Sequence, residues 1–350
     1  MIGERIKLAR ISANLSLRRL AELTGNYVSA QVIHKYEVGK STPGSDVLIH
    51  LAKSLGVKVE YFFRPDSVQV TLGAPAYRKR LSVPAKHLQS MRAKAKEWVE
   101  KYLEVESLFP ENRFPKLRLP DARRRAIKAI ADVEELAVSL RKQWNLGVDP
   151  IENLTEVLED LGAKIVSLEG EKDFDGLSCW ANEDIPVILI NKGLPGDRQR
   201  SSLAHELGHL IMEVSPSVDA EKAAYRFSGA FLVPAEMVYR ELGRQRHKID
   251  LGELHMLKRK YGMSMQQWIY RAKDLSIISE GRASELFRTF HAKGWNRIEP
   301  GEQLPAEEPE RFKRLLLQAV TERLISPVRA AEILGQPFDA FRKSLQVEFA

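Results

Sequence analysis

The chain has 350 residues, a formal net charge of +7, 44% hydrophobic content and a single cysteine. That length suits two globular domains, and one cysteine excludes an internal disulfide framework and fits a reducing compartment. No apolar run approaches the roughly 18 residues of a membrane span and no charged-then-apolar signal opens the chain, so no membrane partner and a cytoplasmic location are expected.

The first 128 residues hold 25 Lys and Arg against 12 Asp and Glu, whereas the remaining 222 carry 29 against 35. A basic front half is what nucleic-acid binding predicts, because neutralising phosphates supplies affinity independent of sequence. The predicted elements there are short helices. Ile6, Leu8, Ala9 and Ile11 mark a first; Ser16 caps a second containing Leu17, Leu20, Ala21 and Leu23; Thr24-Gly25-Asn26 makes the turn. A third runs from Ser29 to Glu37, stopped by Gly39 and Pro43, and a fourth, Val47 to Val57, ends at a glycine. Such spacing describes a helix-turn-helix unit, although a small protein-binding bundle has similar periodicity.

On Leu20-Ala21-Glu22-Leu23-Thr24-Gly25, Val28-Ser29 and Ile33-His34-Lys35-Tyr36-Glu37-Val38-Gly39-Lys40, this segment resembles the Xre (Cro/C1-type) DNA-binding family. The resemblance implies a double-stranded DNA operator as partner and residues 29–37 as the recognition helix. Ile33 and Tyr36 then face the core, while Ser29, Ala30, Gln31, His34 and Lys35 face the groove. Gln31 has the donor and acceptor to read an adenine edge, and Lys35 or Lys40 can touch phosphate.

Arg64-Pro65-Asp66 closes this domain. A strand-like stretch, Val68 to Leu72, and a basic run, Arg78-Lys79-Arg80, lead into one long helix from Val83 to Leu108. Its stripe of Met91, Ala95, Trp98, Val99, Tyr102 and Val105 has to be covered, either by the second domain or by a second copy of the chain. A homodimer formed there would set two recognition helices on a palindromic site. Pro110, Pro115 and Pro120 punctuate the join to a helix predicted over Asp121 to Trp144.

Two strands follow, Gly176 to Ala181 and Ile185 to Ile190, around the polar turn Asn182-Glu183-Asp184. Pro186 cannot donate to a ladder, which suits a strand start or an edge. An extended substrate could add to such an edge. Cys179, in this hairpin, reads as a small buried apolar side chain.

The most specific signal is Leu203-Ala204-His205-Glu206-Leu207-Gly208-His209-Leu210-Ile211. On a helix the two histidines lie one turn apart on one face, placed to grip a zinc ion while Glu206 reaches the metal's water as general base. With eight histidines in the chain, composition alone would produce this pattern in roughly one chain in a hundred. A third ligand is needed. Ala220, Ala223, Ala224 and Phe227 predict a second helix with Glu221 in its first turn; Asp219 reads better as an N-cap, and Glu213 lies a turn from the metal. Tyr225, Tyr239 and His255 are available as oxyanion helpers, each equally readable as packing or surface.

Leu194-Pro195-Gly196-Asp197-Arg198-Gln199-Arg200, the His-Glu-x-x-His helix, and Glu221 through Pro234 together resemble the ImmA/IrrE metallopeptidases over roughly residues 120 to 275. The resemblance implies a zincin-like fold with one Zn²⁺ per chain held by His205, His209 and Glu221. Ser201 stands where that family commonly has Phe, and Tyr225 where it has Asn or His. Beyond residue 275 an acidic, proline-containing connector, Glu299 to Glu310, precedes two helices, Arg311 to Leu324 and Val328 to Leu334.

The expected fold is therefore mainly α with a small β-sheet. It comprises an all-α helix-turn-helix domain (1–66), a basic linker with a long helix (67–119), an α+β zincin-like domain (120–275) and a helical tail (276–350). The expected function is a DNA-binding transcriptional regulator with a zinc-dependent endopeptidase that cleaves a repressor or other regulatory protein, or acts on a cognate toxin. The alternative is a non-enzymatic repressor or antitoxin whose zinc domain senses a ligand or grips a partner.

Overall fold

A computed structural model describes residues 2–63, 68–76, 84–110, 113–114, 125–169, 174–296 and 298–347. Arg64-Pro65-Asp66, Arg78-Lys79-Arg80, Val83, Pro115, Pro120 and the start of the helix expected from Asp121 lie outside these residues. The chain divides into two compact units, one formed by 1–72, 81–111 and 312–350, the other by 73–80 and 112–311. The unit boundaries thus differ from those drawn on sequence: the long helix and the last helices belong with the amino-terminal helices.

In the first unit, α1 (Ile2–Ser12), α2 (Leu17–Leu23), α3 (Ala30–Glu37) and α4 (Ser45–Leu55) surround a core of Ile6, Leu20, Val28, Ile33, Leu48, Leu51 and Phe62, the last delivered by a 3-10 turn, Val59–Phe63. Ser16 and Ser29 cap α2 and α3 by accepting the backbone N–H of Arg19 and Val32. Gly56 ends α4 at φ 67°, the left-handed conformation that glycine adopts without strain. α1 is locked to α3 by Arg10, which donates to both carboxylate oxygens of Glu37 at 2.6 and 2.8 Å. Val68 to Leu72 is no strand; it holds a single bridge residue, Leu72.

α5 (Ala85–Glu106) buries Met91, Ala95, Val99, Tyr102 and Val105. Its cover comes from within the same unit. α1 is joined to it by Arg5 to Glu100 at 2.8 Å and by the Ser90 hydroxyl to Ser12 O at 2.8 Å.

In the second unit, β1 (Arg125–Ile127) precedes α6 (Asp132–Gln143), so the helix expected from Asp121 starts later. Nothing in Arg125-Ala126-Ile127 breaks a helix; pairing with a distant strand overrides local preference. The Asp132 carboxylate then accepts Lys128 and Ala129 N–H at 2.8 and 2.9 Å, closing the turn that leads into α6. α7 (Leu154–Asp160), β2 (Lys164–Leu168), β3 (Gly176–Ala181) and β4 (Ile185–Asn191) follow. Their sheet has the order β2-β4-β3, with β2 parallel and β3 antiparallel to β4. Pro186 therefore sits in the central strand, at its start, just before the β2 register begins at Val187. Asn182 and Glu183 take φ of 47° and 72° in the hairpin turn.

α8 (Gly196–Ile211) passes directly into β5 (Met212–Val214), which pairs in parallel with β1. α9 (Ala220–Leu232), α10 (Ala235–Leu242), α11 (Leu251–Tyr261), α12 (Met265–Asp274) and α13 (Glu280–Ala292) complete this unit around Leu203, Leu207, Leu210, Phe227, Phe231 and Trp268.

The acidic connector is tied down at both ends. Glu299 accepts Met265 N–H and Gln266 N–H, each at 2.9 Å, and pairs at 3.1 Å with Lys258, whose ammonium also meets Asp197 at 3.0 Å. Glu307 accepts Thr155 N–H at 2.7 Å and pairs with Arg200.

α14 (Arg311–Thr321), α15 (Pro327–Leu334) and α16 (Phe338–Val347) return the chain to the first unit. Phe312 stacks against Tyr102 and tilts against Trp98, both at 5.4 Å between centroids, and Arg329 donates to Glu104 at 2.6 Å. The apolar stripe of α5 is thus covered in part by the chain's own last helices. Among the described residues no helix is long and apolar enough to cross a membrane.

Candidate metal centre and nucleic-acid interface

Leu203, Ala204, Leu207, Leu210 and Ile211 bury one side of α8, so His205, Glu206 and His209 leave by the adjoining side. The two histidine Nε2 atoms lie 3.0 Å apart. Gly208 lets α9 cross closely: a Cβ there would meet Phe227 Cδ1 at 3.0 Å and Ala224 Cα at 3.5 Å. The crossing delivers Glu221, with Oε1 at 3.1 Å from His209 Nε2 and Oε2 at 3.6 Å from His205 Nε2. A tetrahedral zinc ion with bonds near 2.0–2.1 Å needs donors about 3.3 Å apart, so this nitrogen and oxygen set fits it. These ligand atoms form a His-His-Glu group within 4.8 Å.

The competitors are placed elsewhere. Asp219 caps α9, accepting Glu221 and Lys222 N–H at 3.0 and 3.2 Å. Glu213 is exposed on β5, opposite Ala126, because the helix has ended before it.

Burial, helped by the neighbouring His209, pushes the His205 imidazole down to about 4, leaving the neutral form that ligates metal. Burial would raise the Glu221 carboxyl, but the His209 hydrogen bond and the two imidazoles outweigh it and hold the carboxyl below its ordinary value. His205 Nδ1 is buried without a hydrogen-bond partner among the described residues.

Glu206 shares the helix face but turns to the sheet. Its Oε2 accepts the Ser178 hydroxyl at 2.7 Å, and its Cγ lies 3.1 Å from where a Cβ on Gly176 would sit. Burial raises its pKa against the opposing pull of His209 and Ser178, the direction a proton acceptor working near neutrality requires. Ser178 and Gly176 were not singled out on sequence. The available signal was strand alternation, which points 176, 178 and 180 to one face of β3.

Of Tyr225, Tyr239 and His255, Tyr225 adjoins the centre, its ring 4.4 Å from that of His205. Burial and the Glu221 carboxylate raise its phenol. Tyr239 donates to Leu275 O at 3.4 Å, and His255 lies under Gly301. Cys179 is buried. The outer edge of β3 carries a covering segment: Gly73 N–H donates to Trp180 O at 2.8 Å and Ala76 N–H to Ser178 O at 2.9 Å.

In the first unit, Gln31, His34 and Lys35 are exposed on α3 and Lys40 just beyond it, while Ile33 and Glu37 point inward. Ser29 is exposed but its hydroxyl is engaged as the cap, at 3.4 Å from Val32 N, and Ala30 packs against the core. Gln31, His34, Lys35 and Lys40 are thus the long exposed polar side chains of this face, with Ser29 exposed and Ala30 half-buried at its start. Tyr27 stacks flat on His50 at 4.1 Å beside it.

Comparison with known proteins agrees with this division. Residues 6–62 match the helix-turn-helix family, and residues 158–273 match the peptidase M78 family, described as the IrrE N-terminal-like domain. The chain is similar to the SPbeta prophage-derived uncharacterized HTH-type transcriptional regulator YonR of Bacillus subtilis (strain 168), 35% identical over 72 residues. That match covers 21% of this chain and spans 65% of the relative's length. A solved structure of ComR from S. thermophilus, in complex with DNA and its signalling peptide ComS, aligns over 99% of this chain and 98% of that one at 13% identity. Its TM-score is 0.18, too low to carry an argument.

Proposed function

We propose, for a chain that joins a helix-turn-helix domain to an IrrE N-terminal-like peptidase domain, a DNA-binding transcriptional regulator that hydrolyses a regulatory protein at a zinc centre. The observation that carries the peptidase half is the meeting of His205, His209 and Glu221 beside a buried Glu206. A zinc ion bound there would supply Lewis acidity toward a water and a substrate carbonyl. His205, His209 and Glu221 would hold it. Glu206 takes the water's proton and returns it to the leaving amine, and Ser178 fixes the carboxylate while it does so. Tyr225, whose ring lies 4.4 Å from that of His205, would donate to the developing oxyanion.

The other half is operator binding by α3, with Gln31 and His34 toward the bases and Lys35 and Lys40 toward phosphate. Joining the two would bring the peptidase to a repressor, or to a cognate toxin, on its own operator.

Glu206→Gln tests this reading in the native cell. The expected result is loss of specific new protein termini and of the regulated transcript change, with zinc content and DNA binding retained. Unchanged termini and transcripts would overturn it and leave the zinc domain as a sensor or docking module.

A further inference from the structure

The peptidase unit's sheet edge is occupied by the chain's own linker. β3 pairs with β4 so that Leu177 faces Leu189 and Cys179 faces Val187, with Gly176, Ser178 and Trp180 opposite Ile190, Ile188 and Pro186. Pro186 has no N–H to exchange with Trp180, so positions of Trp180's parity are the non-hydrogen-bonded pairs and turn their backbone groups outward. The Asn191 N–H to Asp175 O bond, at 3.1 Å, fits the same parity. Of those outward carbonyls, Trp180 O accepts Gly73 N–H and Ser178 O accepts Ala76 N–H.

The fit is close. A Cβ on Gly73 would lie 3.1 Å from Trp180 O, and Ala76 packs against the apolar core of this unit. Ser178 joins the segment to the site, its carbonyl holding Ala76 while its hydroxyl holds Glu206.

We propose that residues 73–76 are a tethered competitor seated where an extended protein substrate adds to β3, and that they must leave before a substrate enters. This rests on the peptidase reading. Pro75 lacks an N–H, so the segment offers few donors to the edge. An extended polypeptide without proline presents one at every second residue and is the better ligand. Tethering compensates, because a segment of the same chain meets the edge at an effective concentration that a free polypeptide has to exceed. In sequence the segment lies at the junction of the two units, residue 72 ending the first and residue 73 beginning the second.

The test uses the full-length, zinc-loaded protein and a fluorescent peptide copying residues 70–78. Ala76→Pro removes the donor to Ser178 O, and Gly73→Pro, a second variant, removes the donor to Trp180 O. All binding is measured in the Glu206→Gln background so that nothing is cut. Expected are slow hydrogen exchange at Gly73 and Ala76 in the parent, and peptide affinity at least about fivefold higher in either proline variant, the factor that one lost backbone hydrogen bond supplies. Cleavage of unfolded casein, with Glu206 restored, is expected to rise by a similar factor. Fast exchange at both amides, or equal peptide affinity in parent and variants, would overturn the proposal. Increased peptide binding with casein left uncut supports occupancy of the edge and overturns the peptidase reading instead.

Discussion

Replacing Lys258 by Met should cost the second unit several kcal/mol, more than any exposed ion pair in the molecule. The Lys258 side chain is 0% exposed, and its partners Asp197 and Glu299 are each 4% exposed. Removing the cation leaves two buried carboxylates with unequal support. Glu299 keeps the N–H donors of Met265 and Gln266, whereas Asp197 Oδ1 has no hydrogen-bond partner among the described residues and its Oδ2 would lose Lys258. Breaking a buried pair from one side costs about 3–5 kcal/mol. At roughly 2–4 °C per kcal/mol for a unit of this size, the melting temperature should fall by about 6–20 °C. Calorimetry on the full chain measures the shift, and hydrogen exchange in α8 and α11 assigns the transition to the second unit. Lys258→Met with Asp197→Asn should recover at least half of the loss, since the uncompensated charge is gone. A fall of less than about 2 °C for the single variant would refute the reasoning, because a buried and nearly unsupported carboxylate cannot be so cheap.

Gly176→Ala sets a methyl 3.1 Å from Glu206 Cγ and 3.2 Å from Leu189 O; peptide hydrolysis should drop by about 10–100-fold through misplacement of the base, with zinc content unchanged by metal analysis. Glu221→Gln removes the anionic ligand, and dialysed protein should retain well under one zinc per chain while α3 still binds DNA. Gly3→Ala drives a methyl into the carbonyl of Tyr36, so operator affinity should fall with helix content of the first unit; intact DNA binding at ordinary temperature would mean that α1 shifts freely. Lys35→Ala should reduce the slope of log affinity against log salt by about 1 if it touches one phosphate, and an unchanged slope would remove it from the interface.

The readable parts of this chain were those written locally. The caps at Ser16 and Ser29, the glycine stop at Gly56 and the hairpin turn at Asn182-Glu183 are each specified by a few neighbouring residues. The His-Glu-x-x-His spacing survives because a helix fixes which side chains share a face. What could not be read depended on distant partners. β1 is a strand only because β5 lies beside it. Ser178 is tied to Glu206 across 28 positions, and nothing local in the acidic connector indicates that Glu299 and Glu307 meet an N-terminal turn and two buried cations. The groove face implied by the family resemblance begins at Ser29 and Ala30, where the structure adds a cap made by the Ser29 hydroxyl and a half-buried Ala30, both set by neighbours in the folded unit.

The return of the final helices to the first unit imposes a timetable on synthesis. The bundle of α1 to α4 has its own core and can close as soon as it leaves the ribosome. α5 must wait, because Phe312, which stacks on Tyr102, follows the end of α5 by about 200 residues. At roughly 5–20 residues per second that interval is about 10–40 s. A ribosome that stalls within the peptidase unit therefore releases a chain with a finished recognition helix and an aromatic stripe still lacking its cover from Phe312. Such a fragment is open to chaperones and proteases, which would clear incomplete chains before they accumulate.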